Sequence, residues 1–194
     1  MINKTLVLAS TSPYRKAILD KLAIPYETAS PEIDETPQAG EIPEQLVARL
    51  SEAKAKAVAP NYPDALIIGS DQVAVIDGQI VGKPGDHETA VAQLRRASGK
   101  RISFLTGLCL YNTTSQRSQV DVIPFNVIFR HLNDDQIERY LEKEQPYHCA
   151  GSFKSEALGI ALFERLEGDD PNTLIGLPLI RLIRMLESEG HPVL

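Results

Sequence analysis

The chain has 194 residues, enough to bury a full core as one domain or as two small lobes. Hydrophobic residues make up 43% and charged residues 24%, and the net charge of −6 removes any general electrostatic case for nucleic acid or anionic membranes as partners. Cys109 and Cys149 have no zinc-type or Cys-x-x-Cys spacing, and no apolar run has the length of a signal peptide or membrane span, so the chain reads as reduced, soluble and cytoplasmic.

In chain order, Thr5 to Ser10 is an apolar run that predicts a buried strand. Ser12 then reads as a helix cap with Pro13 at the first helical position, where a missing N–H costs nothing, and Ala17, Ile18, Leu19 and Leu22 form the inner stripe. A loop rich in proline and acids, Ser30 to Pro43, leads to a second helix from Glu44 to about Ala59. Leu66 to Ser70 and Val73 to Ile76 predict strands, with Asp77-Gly78 as a two-residue turn into a partner strand at Gln79 to Gly82. A helix over Asp86 to Ala97 precedes two long strands, around Arg101 to Tyr111 and Val120 to Arg130. Asn133 starts another helix, Ile160 to Leu166 reads as a strand, and Leu177 to Glu187 is a closing amphipathic helix. Strands alternating with helices predict an α/β fold with a mixed sheet, and no repeat or linker divides the 194 residues into separate domains.

Several chemical motifs are excluded. "GQIVGKP" (Gly78 to Pro84) has three residues between its glycines where a P-loop has four, carries Pro in place of Ser/Thr, and lies on a hairpin. His87-Glu88 meets Val91 where a metalloprotease helix needs its second histidine. Neither G-x-S-x-G nor G-x-G-x-x-G occurs.

A set of polar residues is harder to explain as scaffold. Lys54 lies four residues after Leu50 and four before Val58, within the stripe Leu46, Val47, Leu50, Ala53, Ala57 and Val58, so it is either a snorkelling stem or a lysine aimed at a cleft. Asp71 follows "ALIIGS" at a predicted strand end, where open α/β sheets gather ligands, although a turn aspartate would look the same. With Asp77-Gly78 as the turn, Ile76 opposes Gln79, and counting back sets Gln72 opposite Lys83. Asp71, Gln72 and Lys83 then converge at one hairpin end. At the first strand-to-helix junction Ser10, Thr11 and Ser12 offer hydroxyls, and Arg15 offers a planar fork to phosphate oxygens, beyond what a plain cap requires.

"LASTSPYRKAIL", "IDETP", "KAKAVA", "IIGSDQVAV", "GKP", "CAGSFKSEALGI" and "GLPL" together resemble the Maf family of nucleoside triphosphate pyrophosphatases, over Leu6 to about Leu186. The resemblance implies a single Maf-like domain over 1–194, with an α/β fold of the inosine triphosphatase type. Such a fold has an elongated mixed sheet flanked by helices, and two lobes with a central cleft. It implies hydrolysis of a nucleoside triphosphate to the monophosphate and pyrophosphate with a divalent cation, Mg²⁺ or Mn²⁺. Carried over position by position, it places phosphate-binding roles on Ser10, Arg15, Lys54 and Lys83, an acidic role on Glu35, and the general base on Asp71. Glu35 and Asp71 become the metal candidates.

Three departures bear on the substrate. Where many members have a second arginine, a threonine and a glutamine, this chain has Tyr14, Gln72 and Glu156, a triplet resembling the subfamily that hydrolyses 7-methyl-GTP. The exchange is chemically coherent. An aromatic face stacks on a positively charged 7-methylguanine, and a carboxylate accepts from guanine N1–H and its exocyclic amine while repelling the carbonyl edge of uracil or thymine. The expected reaction is metal-assisted attack of water at the α-phosphorus of this modified nucleotide. The alternatives are dTTP or UTP hydrolysis, or a non-catalytic nucleotide-binding regulator of cell division. The expected partner is the nucleotide alone, with no nucleic acid or membrane, and a homodimer is left open.

Overall fold

Thr5–Ala9 forms the first strand, β1, with its last four residues buried as the apolar run requires. In the computed structural model, which describes residues 4–194, β1 pairs in parallel with β2 (Glu27–Ala29) and with β3 (Ala65–Ile76). β4 (Gln79–Val81) returns antiparallel along β3 through Asp77-Gly78, both at positive φ as a tight hairpin turn demands. With β5 (Arg101–Asn112), β6 (Arg117–Phe129) and β7 (Phe163–Glu167) the strands make a mixed seven-stranded sheet, ordered β2-β1-β3-β5-β6-β7 with β4 on β3. The helices that flank it are α1 (Pro13–Leu19), α2 (Pro43–Val58), α3 (His87–Ala97), α4 (Asp134–Glu144), α5 (Asn172–Ile175) and α6 (Leu179–Ser188).

Two compact units divide the chain. The first comprises Met1–Gln72, Thr106–Ile123 and Gly176–Leu194, the second Val73–Leu105 and Pro124–Ile175, so the boundaries fall inside β3, β5 and β6. In the first unit, α2 lies unusually close to the sheet. A Cβ placed at Gly69 on β3 would come 2.0 Å from the Ser51 carbonyl oxygen, and one at Gly107 on β5 would come 2.1 Å from that of Val47. Ser51 and Ala55, both small and buried, complete that helix face. In the second unit Phe104, Phe129, Phe153 and Phe163 pack edge-to-face at centroid distances of 4.9 to 5.5 Å, a geometry that contributes about 1 kcal/mol per pair beyond area burial. Among the described residues no helix is long and apolar enough to cross a membrane, and no disulfide joins Cys109 to Cys149.

The structure changes four local expectations. Asp71-Gln72 does not interrupt β3, which runs unbroken from Ala65 to Ile76 because the polar side chains at 70, 71 and 72 have partners. Asp71 is therefore a mid-strand residue. The β3–β4 ladder carries Ile76↔Gln79, Val75↔Ile80 and Ala74↔Val81 and stops there. The extrapolated Gln72–Lys83 pair is absent from it, since the Gly82 carbonyl turns instead to Gln93 Nε2 (3.3 Å) and the Gly151 N–H (3.5 Å). On α2 the buried stripe is Leu46, Val47, Leu50, Ser51, Lys54, Ala55 and Val58. Lys54 belongs to it, while Ala57 is exposed and Ala53 half-buried. Finally, the stretch expected as a strand from Ile160 begins as a 3-10 turn at Leu158–Leu162, and β7 starts only at Phe163.

Gly107→Ala is expected to lower unfolding free energy by more than about 2 kcal/mol, because the new methyl group meets helix backbone that cannot yield cheaply. Urea denaturation reads this as a lower midpoint, and an unchanged midpoint would show that α2 can lift off the sheet at little cost.

Candidate active site

The junction after β1 resolves into a cap and a remainder. The Ser12 hydroxyl accepts from the Arg15 N–H at 3.4 Å, and the Ser10 hydroxyl accepts from the Ser12 N–H at 3.1 Å. Ser10 is buried and keeps its own O–H as a donor, whereas Thr11 is exposed. Arg15 is not spent on the cap. Its Nε donates to the Gly176 carbonyl at 2.9 Å, which fixes one edge of the guanidinium and turns the terminal nitrogens away from that bond. Burial lowers its pKa, opposed by the charges of Asp71 first and Glu35 second, so the guanidinium lies within the field of both carboxylates. Gly176 has φ +120°, a conformation open to glycine, and its carbonyl also accepts from the Ser70 hydroxyl at 2.9 Å.

Lys54 is the centre of this arrangement. Only 7% exposed, it places Nζ 2.6 Å from Asp71 Oδ1 and 2.8 Å from Glu35 Oε1. Asp71 is buried beside it, while the Glu35 side chain is 59% exposed. The approach of α2 to Gly69 sets the reach of Lys54, since its Cα stands three residues beyond the carbonyl that touches that glycine. One ammonium thus holds two carboxylates within the sum of two short contacts, with a half-buried guanidinium close by.

Glu35 is held in place through its loop. Arg49 of α2 donates Nε to Glu41 Oε1 (2.6 Å) and Nη2 to Glu41 Oε2 (2.7 Å), a bidentate fork, and Nη2 also reaches the Thr36 carbonyl at 3.2 Å. The Asp34 carboxylate accepts from the Thr36 N–H at 2.9 Å. The residues on either side of Glu35 are engaged by these bonds, and 34–40 are exposed, so the acidic loop is solvated and at the same time tethered to α2. The fork shows in the Glu41 carboxyl, which it pulls down to about 2.

The remaining candidates are placed as follows. Gln72 is half-buried and donates Nε2 to the Thr106 hydroxyl at 2.9 Å. Tyr14 is 41% exposed on the first turn of α1. The first unit therefore holds Ser10, Tyr14, Arg15, Glu35, Lys54, Asp71 and Gln72; ion pairs join Lys54 to Glu35 and Asp71, and Arg15 feels the charge of both carboxylates. Lys83 and Glu156 belong to the second unit, both exposed. The Lys83 loop is held by the bonds on Gly82 and by the Gly85 N–H donating to the Tyr147 carbonyl at 3.0 Å.

Sequence reasoning passed over Arg49, Glu41, Ser70, Gly176 and the two packing glycines. The glycines carried a usable signal, since an isolated Gly inside an apolar strand marks a close backbone approach. No group of three or more His, Cys, Asp or Glu that could hold a metal occurs among the described residues. Glu35 and Asp71 are two all-oxygen donors on one cation, a set that suits a hard divalent ion whose remaining ligands are phosphate oxygens and water.

The Glu41 carboxyl gives a direct check on the loop anchor. Its value in the folded chain lies below the unfolded value, so its contribution to stability is present above about pH 4.5 and is lost as pH falls toward 2. In Arg49→Met its titration, followed by carbon NMR, is expected to move up toward 4.5. A value that stays near 2 would remove Arg49 as the cause.

Comparison with known proteins identifies the family. A 7-methyl-GTP pyrophosphatase of Nitrosococcus oceani is 59% identical to the chain over 190 residues, covering 98% of this chain and 96% of that protein. Among solved structures, the Staphylococcus aureus Ham1 protein aligns with a TM-score of 0.52 over 96% of this chain and all of its own, at 14% identity, a likeness of fold alone. The family model described as Maf-like protein matches residues 5–189, nearly the whole chain, and the chain belongs to the Maf family.

Proposed function

We propose that the chain hydrolyses 7-methyl-GTP to 7-methyl-GMP and pyrophosphate in the cytoplasm. The observation that carries the chemistry is the buried Lys54 ammonium held between Asp71 and Glu35 beside Arg15, which joins a carboxylate base to cations suited to a triphosphate. The name of the 59% identical relative supports the choice of nucleotide.

In this reading Asp71 orients the attacking water and takes its proton as the water oxygen bonds to the α-phosphorus. The bond from that phosphorus to the bridging oxygen breaks, and its electron pair leaves on pyrophosphate. Arg15 and Lys54 offset the charge that builds on the phosphate oxygens, Lys83 does the same from its exposed loop, and Ser10 donates its hydroxyl to a phosphate oxygen. Glu35 and Asp71 would hold a divalent cation, Mg²⁺ or Mn²⁺, and such an ion supplies further charge neutralisation and a more acidic water when bound. Tyr14 offers its exposed ring to the cationic base, Gln72 the amide that Thr106 holds, and Glu156 a carboxylate to guanine N1–H and the exocyclic amine.

Pyrophosphate release with Mg²⁺ or Mn²⁺ on 7-methyl-GTP, GTP, dTTP and UTP tests the proposal. Preference for 7-methyl-GTP is expected. Preference for the pyrimidines would sink the base assignment and leave the phosphate chemistry standing, and tight binding without turnover on any substrate would favour a regulator.

Asp71→Asn is expected to keep the fold and nucleotide binding while losing on the order of a hundredfold or more in turnover. Rates like those of the unaltered protein would take Asp71 out of the mechanism. Tyr14→Arg, Gln72→Thr and Glu156→Gln combined are expected to move the preference toward dTTP and UTP, read as the ratio of kcat/KM values.

A further inference from the structure

The turn that carries Glu156 is closed by a carboxylate to which the proposed chemistry gives no role. We propose that Glu144 is a positioning residue for base selection, acting through Glu156 without touching the nucleotide; this rests on the reading of Glu156 given above.

Glu144 is the last residue of α4 and grips the turn at two points. Its Oε1 accepts from Lys154 Nζ at 3.0 Å, its Oε2 accepts from the Leu158 N–H at 3.1 Å, and its main-chain carbonyl accepts from Lys154 Nζ at 3.2 Å. Between those points the chain doubles back on the Lys154 carbonyl, which accepts from the N–H groups of Ala157 (3.3 Å) and Gly159 (3.0 Å). A Cβ at Gly159 would stand 2.3 Å from that carbonyl oxygen, so the closure requires glycine there. The Lys154 N–H is taken by the Tyr140 hydroxyl at 3.2 Å. Glu156 sits inside this loop, exposed, between the held residues Lys154 and Ala157, and its Oε2 accepts from the Ser155 hydroxyl at 3.4 Å.

The grip is stronger than a surface ion pair. The Glu144 and Lys154 side chains are 15% and 24% exposed, so water screens the pair weakly and both carboxylate oxygens are engaged. Tyr140 is tied into the same arrangement through its bond to the Lys154 N–H. Burial raises the pKa of its phenol first and foremost, the bond from Lys154 opposes this, and the charges of Glu144, Cys149 and Glu156 add to the rise. Loss of Glu144 has two consequences for Glu156. The turn loses its bracket at Leu158, and the Lys154 ammonium is released two residues from the carboxylate that should read the base.

Kinetics of the full chain with 7-methyl-GTP and UTP, on the unaltered protein and on Glu144→Ala, Glu144→Gln and Glu156→Gln, test the inference. Glu144→Ala is expected to lower the kcat/KM ratio of 7-methyl-GTP to UTP on the order of tenfold, through KM for 7-methyl-GTP, with UTP values within about twofold. Glu144→Gln, which keeps an acceptor for Leu158 and loses the charge, is expected to fall between. It carries the test if the alanine variant does not fold, as judged by its melting curve. Equal losses on both substrates would mean a structural role and overturn the proposal. So would an unchanged ratio in Glu144→Ala beside a lost preference in Glu156→Gln, which leaves the base reading intact. If Glu156→Gln also leaves the ratio unchanged, the base reading falls and the role of Glu144 with it.

Discussion

The contact on which the site depends is backbone against backbone, α2 lying on β3 and β5 where Gly69 and Gly107 leave no side chain between them. A lysine stem is of fixed length, and a helix one side chain further from the sheet would carry the Lys54 ammonium out of reach of Asp71. Close approach also removes water from the pair, which sharpens its electrostatics and raises the cost of leaving either partner alone. Val47, Ser51 and Ala55 on the helix answer the glycines on the strands, so one pattern of small residues and backbone sets both the packing and the charge geometry.

From that contact the rest of the first unit's site is assembled by tethers. Arg49, five residues before Lys54 on the same helix, holds the Glu41 and Thr36 ends of the loop, so a single helix positions both a cation and the acid opposed to it. Arg15 is oriented from elsewhere in the chain, by a carbonyl that only a glycine backbone presents in this way. The second unit repeats the logic with different parts. The segments carrying Lys83 and Glu156 are both stitched down by main-chain bonds, and Gln93 joins them, donating to the Gly82 carbonyl and accepting from the Ser152 hydroxyl.

Much of the fold was legible in the sequence, and the failures have physical causes. Lys54 could be read because helical spacing is local, and the structure buries it in the stripe where the spacing put it. The Asp77-Gly78 hairpin could be read because its turn demands positive φ. Asp71-Gln72 falls between two predicted strands, although β3 runs on through it, and Ser70 before it is buried as well. Their partners, Gly107, Gly176, Lys54 and Thr106, lie 17 to 106 residues away and leave no local trace. Glu35 was reached through the family resemblance and by no local signal, since the fork that anchors its loop joins a helix to a turn through side chains. The three-residue strand β2 lacks the length for a periodic signal, and its place beside β1 comes from tertiary pairing alone.

Ser70 adds a property of another kind. Its hydroxyl owns one hydrogen but stands 2.9 Å from two carbonyl oxygens, those of Gly107 and Gly176. The hydrogen points to one or is shared between both, so a single side chain ties the β5 backbone to the Gly176 carbonyl. The Gly176 oxygen accepts from Ser70 and Arg15 together. The buried hydroxyl one position before Asp71 on β3 thus joins the strand's backbone neighbour to the same oxygen that orients Arg15, so the chain at Gly176 is stitched to the sheet at the point where the guanidinium is held.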